Sequence, residues 1–410
     1  PLRPIWFLPW LSLPQRYALF VVLHILVAAT GIGFAARRLA LNKTAAKFAM
    51  VSYALSCPVL FQQYNLIYLC SAAWIGFCFG SLSDLWRAQY HEQRLACGRS
   101  IVIFSLSISM MILCGDPHTA VNCGILAAAG ILLLIFRGQT RIESRMRGLG
   151  FLLSAATLIA LVTAVQWIPA WRWSQHSNRV ESTVTPFLPA ADSLAPEHQL
   201  LVDELSKVDV DPMRRYDFSL SPWHVATSFW PTFGGHYQRQ NSRWFSAIGS
   251  EGRMWIPSIY VGLAPMLLAV LSLFRPTRHR WLAWVAVFSL AASFGNYSPI
   301  WLLREIFWAS GCYDLAAGLP PDQYLSIYGL LEWLVPGYDS LRFPAKWTVL
   351  LAASTSLLGA SCLDAYCRSE SKTLPLIPTP LVILIGSSSA ILVLAASWLF
   401  WNPQSSAFSG

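Results

Sequence analysis

The feature that most constrains this 410-residue sequence is its series of long apolar stretches. Each is close to the ~20 residues that one helix needs to cross the hydrocarbon core of a bilayer. About ten can be read by that criterion, at approximately 17–36, 45–62, 65–83, 100–114, 118–136, 149–168, 256–274, 281–295, 346–366 and 379–401. A soluble fold has nowhere to bury so many. Charged residues make up only 12% of the chain, about half the density of an ordinary soluble domain. The expected fold class is therefore an all-α polytopic membrane protein, with about ten transmembrane helices and two long outer loops.

Basic residues set the expected orientation, because short cytoplasmic loops collect Lys and Arg. Arg37, Arg38 and Lys43 follow the first stretch, and Arg87, Arg94 and Arg99 the third. Arg137, Arg141, Arg145 and Arg147 follow the fifth; Arg275, Arg278 and Arg280 the seventh; Arg368 and Lys372 the ninth. Every second connection is basic, as a chain that alternates sides requires. The net charge of +9 thus reads as membrane orientation with the lipid bilayer as partner, and no nucleic-acid partner is expected. The chain divides into N-terminal transmembrane helices at 1–168, a large extracytoplasmic loop at 169–255, and C-terminal transmembrane helices at 256–410 that enclose a second outer loop at 296–345. The outer connections hold most of the acidic residues, among them Asp116, Asp203, Glu204, Asp209, Asp211, Asp322 and Glu332. Loops this long usually carry function.

Three short constellations stand out. In Cys114-Gly115-Asp116-Pro117-His118, Gly115 can end one helix while Asp116 caps the next and Pro117 opens it. The same turn places a carboxylate and an imidazole at the membrane surface, where ionisable groups are candidates for substrate contact. In Ser340-Leu341-Arg342-Phe343-Pro344-Ala345-Lys346-Trp347, Arg342 and Lys346 flank an outward helix start, a ready site for an anion such as phosphate. The alternative is that both snorkel to lipid headgroups. The stretch from Asp217 through Trp223 and His224 to Phe229-Trp230-Pro231-Thr232-Phe233 reads as a short amphipathic helix and a turn. Its aromatics suit the headgroup region, a sugar face or a polyprenyl tail. His224 and His236 stand alone and are not expected to be metal ligands. The Gly-Ile-Gly-Phe-Ala-Ala run at 31–36 lacks the preceding strand of a dinucleotide fingerprint. There are nine cysteines, with no CxxC pair and no metal-ligand spacing. Cys114 and Cys123 could pair across the outer turn, although burial as a thiol is the commoner use. No cofactor is identified, and dependence on a divalent cation is left open.

Taken together, the GDPH turn at 115–118, SLSPWHVATSFWPTFGG at 219–235, YVGLAPMLLAVLSLF at 260–274, FGNYSPIWLL at 294–303 and VPGYDSLRFPAKW at 335–347 resemble the YfhO-type family of bacterial membrane proteins, assigned to the GT-C glycosyltransferase class. The early run from Leu23 to Ser56 fits as well. The resemblance implies a multi-pass protein of the bacterial cytoplasmic (inner) membrane. It implies transfer of a sugar from a polyprenyl-phosphate-linked donor to a glycan, lipid or protein acceptor at the outer face. On that reading Asp116, His118, Arg342 and Lys346 contact substrate. The catalytic carboxylate of this class is expected in the first outer loop, upstream of this chain, which begins at Pro1 and is read as a piece of a longer protein. Asp116 is the best remaining acidic candidate and is expected to position substrate or structure rather than act as base. Two other classes stay open. A transporter or flippase of lipid-linked glycans would show repeats and broken helices. A non-catalytic membrane scaffold would lack a site beside the membrane.

Overall fold

The structure is a computed structural model, and it describes residues 10–91, 94–136, 142–174, 216–233, 255–273 and 279–368. Among these residues it is all helical. The long helices are α1 (Leu13–Arg38), α4 (Leu66–His91), α5 (Arg94–Leu113), α6 (Pro117–Phe136), α7 (Ile142–Ser174) and α13 (Thr348–Arg368). Between them lie α2 (Lys43–Ala54), α3 (Cys57–Leu60), α8 (Leu263–Leu273), α9 (Arg280–Ser293), α10 (Pro299–Ala309), α11 (Tyr313–Ala317) and α12 (Ile327–Leu334). Four helical segments are long and apolar enough to cross a bilayer: Leu13–Arg38, Leu66–Asp84, Gly148–Pro169 and Pro344–Arg368. Shorter apolar helices occupy the stretches at Gly98–Leu113, Pro117–Leu133, Leu263–Leu273 and Arg280–Ser293. The stretch at 379–401 and the acidic run Asp203–Asp211 lie outside the described residues.

Local chemistry sets the helix ends. Asn42 caps α2 by accepting from the Ala45 amide at 2.7 Å, and Ser298 and Ser326 cap α10 and α12 in the same way. Serines inside the spans return their hydroxyls to the carbonyl four residues back, as Ser81 does to Phe77 and Ser354 to Leu350. That keeps polar side chains tolerable in an apolar setting.

Two helices depart from the apolar stretches that mark them. The stretch at 45–62 is two helices, bent by 47° at a break after Ala54. Pro58 supplies the reason, since it opens α3 and a proline cannot continue a helix through its own ring. The Cys57 amide, which the break would leave without an acceptor, donates to the Tyr260 carbonyl at 2.9 Å. The stretch at 256–274 becomes helical only at Leu263, because Gly262 sits at φ +113. The extended segment before it binds Thr227 through Ser258 and the Ile259 amide.

Packing relies on small residues. A Cβ built on Gly76 would lie 2.3 Å from the Gly31 carbonyl carbon, and one on Gly80 would meet the Phe34 ring at 2.4 Å. The α1 and α4 backbones therefore touch, which is the usual solution for helices that gain nothing by hiding apolar surface from lipid. The Gly-Ile-Gly run at 31–33 is part of this seam. At the centre of the molecule is α13, whose span is 89% buried against 22% for the one in α7. It packs on α2, α8 and α9 and reaches α1, α3 and α4.

The two ends of the bundle carry separate charge clusters. At one end Arg38 pairs with Asp84 at 3.0 Å, Arg368 with Asp364 at 2.9 Å, and Arg368 also donates to the Ala40 carbonyl at 2.6 Å. These are the helix ends whose basic residues mark the expected cytoplasmic side. At the other end are the starts of α4, α6 and α13. Cys114 and Cys123 remain thiols.

Candidate functional site

The site begins with the turn between α5 and α6. Gly115 takes φ +99, a conformation open to glycine, and the chain reverses so that the Asp116 amide donates to the Met111 carbonyl at 3.1 Å. Asp116 then caps α6. Its Oδ2 accepts from the Thr119 hydroxyl at 2.6 Å, and its Oδ1 from the Thr119 amide at 3.4 Å. The carboxylate is 1% exposed.

The second half comes from the approach to α13. Phe343 is held at φ +77, a costly conformation for a bulky residue, and Pro344 starts a 3₁₀ turn, Pro344–Trp347, that runs into α13. This folds Lys346 inward. Its Nζ donates to Asp116 Oδ1 at 3.1 Å, across 230 residues of sequence. The same ammonium lies 4.4 Å from the centre of the Tyr68 ring, 5.7 Å from Trp255 and 5.8 Å from Phe343. Trp255 stacks on Phe343 at 5.3 Å, and Phe218 closes against Phe343 at 5.0 Å. A carboxylate on one side and π faces on the others are the environment a partly desolvated ammonium needs. The Trp255 Nε1 is buried with no hydrogen-bond partner among the described residues.

A neutral hydrogen-bond network adjoins this pair. Tyr338 is buried, and burial pushes its phenol well above the ordinary value, so it stays a hydroxyl. Its oxygen accepts from Trp347 Nε1 at 2.9 Å and donates to Asn122 Oδ1 at 2.9 Å. The third neighbour of the Tyr338 oxygen is His118 Nε2, at 3.3 Å. Asn122 Nδ2 has no hydrogen-bond partner among the described residues.

Of the four residues singled out in the sequence, Asp116, His118 and Lys346 come together. Arg342 does not join them through its side chain, which is exposed, although its backbone lies beside His118. Tyr68, Trp255, Phe343 and Tyr338 complete the site; Phe343 and Tyr338 fall within the motif at 335–347, but none of the four was expected in the site, because each gains its meaning from residues remote in the chain. In the 217–233 stretch, Pro222–Ser228 forms a 3₁₀ helix. His224 is buried there against the Ser221 hydroxyl at 2.8 Å, while Phe229 and Trp230 are exposed. His236 lies outside the described residues. Among the described residues no three His, Cys, Asp or Glu side chains gather as a metal site.

An apolar cavity of about 230 Å³ opens between α4, α6 and α9, lined by Phe79, Ile125, Leu126, Trp281 and Phe288 among others. Phe288, on its wall, also meets Trp347 edge-on at 5.3 Å. Comparison of the chain with family models, with curated proteins and with solved structures returned no match.

Proposed function

We propose that this membrane protein binds a polyprenyl-phosphate-linked sugar at the end of the bundle formed by the starts of α6 and α13, and transfers the sugar to an acceptor of the cell envelope. The observation that carries this reading is the Lys346 ammonium, buried beside Asp116 within a ring of aromatic side chains. A fixed cation at a membrane-surface helix start is a place for a phosphate, and aromatic faces are suited to a sugar. Arg342, exposed one turn earlier, would grip the phosphate bidentately from the water side. The Trp255 N–H, which has no acceptor among the described residues, offers a further donor. The apolar cavity between α4, α6 and α9 suits a lipid tail.

In this reaction the acceptor hydroxyl oxygen forms a bond to the sugar's anomeric carbon. The bond from that carbon to the phosphate oxygen breaks, its electron pair leaves on the phosphate, and the hydroxyl proton passes to a base. Lys346 and Arg342 stabilise the charge that grows on the leaving phosphate. Asp116 has both oxygens committed, to Lys346 and Thr119. Its role is to hold Lys346 in place, and it is not assigned as the base. His118 fixes the turn through Tyr338.

The test is release of radiolabelled sugar from polyprenyl-phosphate donors by the full-length protein in membranes. Arg342→Ala is the informative variant, because an exposed side chain can be removed without unfolding the bundle. Turnover should drop at least tenfold with an unchanged melting temperature. Full activity in Arg342→Ala and in Lys346→Met would sink the phosphate site.

One observation favours a second reading, movement of the lipid-linked glycan without cleavage. The 47° break between α2 and α3 is the kind of discontinuous helix that transporters use. Vesicles that move the labelled lipid between leaflets while releasing no sugar would select it.

A further inference from the structure

The segment between α9 and α13 is folded with its polarity turned inside out. It contains five charged residues from Pro299 to Leu334, namely Arg304, Glu305, Asp314, Asp322 and Glu332, of which only Asp314 is exposed. Arg304 is drawn inward by Asp322 and donates to the Pro320 carbonyl at 2.6 Å. Glu332 accepts from the Tyr216 hydroxyl at 2.7 Å. On the faces of α10 and α12 the side chains turned outward are apolar. On α10 they include Leu302, Ile306 and Trp308, and on α12 Leu330, Trp333 and Leu334. Trp333 is 82% exposed, more than any other large apolar side chain among the described residues. A loop bathed in water would present the opposite face, and an exposed apolar surface of this kind marks something that covers it.

Both ends of the segment run into apolar helices. It leaves α9 at Ser293 and enters the turn into α13 at Pro344, and both helices are apolar. Short connections on either side, 294–298 and 335–343, leave little room to lift it far from the bilayer. Trp and Tyr are enriched at that depth, where an amphipathic helix buries its apolar face among headgroups and upper acyl chains.

We propose that α10 and α12 form a membrane-seated platform whose outward apolar face lies in the lipid headgroup region of the bilayer that α9 and α13 enter. The partner is the lipid surface itself. This placement rests on the chain being a membrane protein and is independent of sugar transfer. It sets the α13 end of the bundle level with the headgroups, where a lipid-borne phosphate would arrive.

The experiment uses the full chain in phosphatidylcholine–phosphatidylglycerol vesicles. Cys312 and Cys367, the exposed thiols among the described residues, are changed to serine, and the parent without an added cysteine gives the blank. Ile306→Cys and Leu334→Cys are labelled with a nitroxide, with Asp339→Cys as the aqueous reference. Collision with oxygen, which concentrates in lipid, is compared with collision with a water-soluble nickel chelate. The platform predicts that oxygen exceeds nickel several-fold at 306 and 334, with the reverse at 339. Nickel dominating at 306 and 334 would place the face in water. Low collision with both reagents would mean that protein covers it, from elsewhere in this chain or from a second copy. Either result overturns the proposal.

Discussion

At the scale of single residues, the Lys346–Asp116 pair behaves differently from a surface ion pair. Both partners are nearly buried, so removing one strands the other in a medium that hydrates it poorly. Lys346→Met should cost about 3–5 kcal/mol, read as a fall in unfolding midpoint in detergent. Adding Asp116→Asn, which keeps a cap acceptor for Thr119, should return part of that loss. A double variant no more stable than Lys346→Met would show that the two charges are not coupled. His224 gives a pH signature. Burial depresses its imidazole to about 4, against an unfolded value of ~6.5. Above that unfolded value both states are neutral. As pH falls toward 4 the unfolded chain takes the proton first, so stability declines by about 3 kcal/mol in total. Unfolding midpoints across this range should fall for the parent and stay flatter for His224→Gln; equal slopes would refute the assignment. The cap at Asp116 was legible from the sequence because Gly, Asp and Pro act within one turn. Its direct pairing with Lys346 was not: the resemblance sets both residues against one substrate, but nothing around Lys346 points 230 residues back to a carboxylate.

At the scale of elements, hydropathy marked the most apolar helices, left α10, α11 and α12 inside the loop expected at 296–345, and misjudged how some of the others are built. It saw 45–62 as one unit because an apolar count does not register that Pro58 breaks the hydrogen-bond ladder. It started the 256–274 helix early because Ile256, Ile259 and Val261 are apolar whether or not they are helical. The α1–α4 seam was equally silent, as glycine contributes little to a hydropathy sum. That seam is testable. Gly76→Ala places a methyl against the Gly31 backbone and should cost about 1–3 kcal/mol, as overpacking does. A methyl on Gly124 in α6 would meet nothing within 4 Å, so Gly124→Ala should be neutral or stabilise by up to ~1 kcal/mol. Matching melting temperatures for the two variants would contradict direct backbone contact between α1 and α4.

At the scale of the whole molecule, alternating basic connections are consistent with the way the helix ends sort. Arg38, Asp84, Asp364 and Arg368 gather at one end, and Asp116 and Lys346 at the other. The alternation of charge was legible because each loop carries its own basic residues, whereas the central place of α13 emerges only from packing. An impermeant maleimide should label Asp339→Cys in intact cells and native Cys367 only after the membrane is opened, in a Cys312→Ser background. Labelling of both from one side would overturn the alternation. The distance along the chain between Asp116 and Lys346 also imposes an order in time. At roughly 5–20 residues per second, a ribosome needs about ten to fifty seconds to make the intervening 230 residues. Through that interval α1 to α4 exist without the helix on which they finally pack, and the Asp116 carboxylate waits without its cation. Biogenesis therefore has to shelter a half-built bundle until α13 arrives.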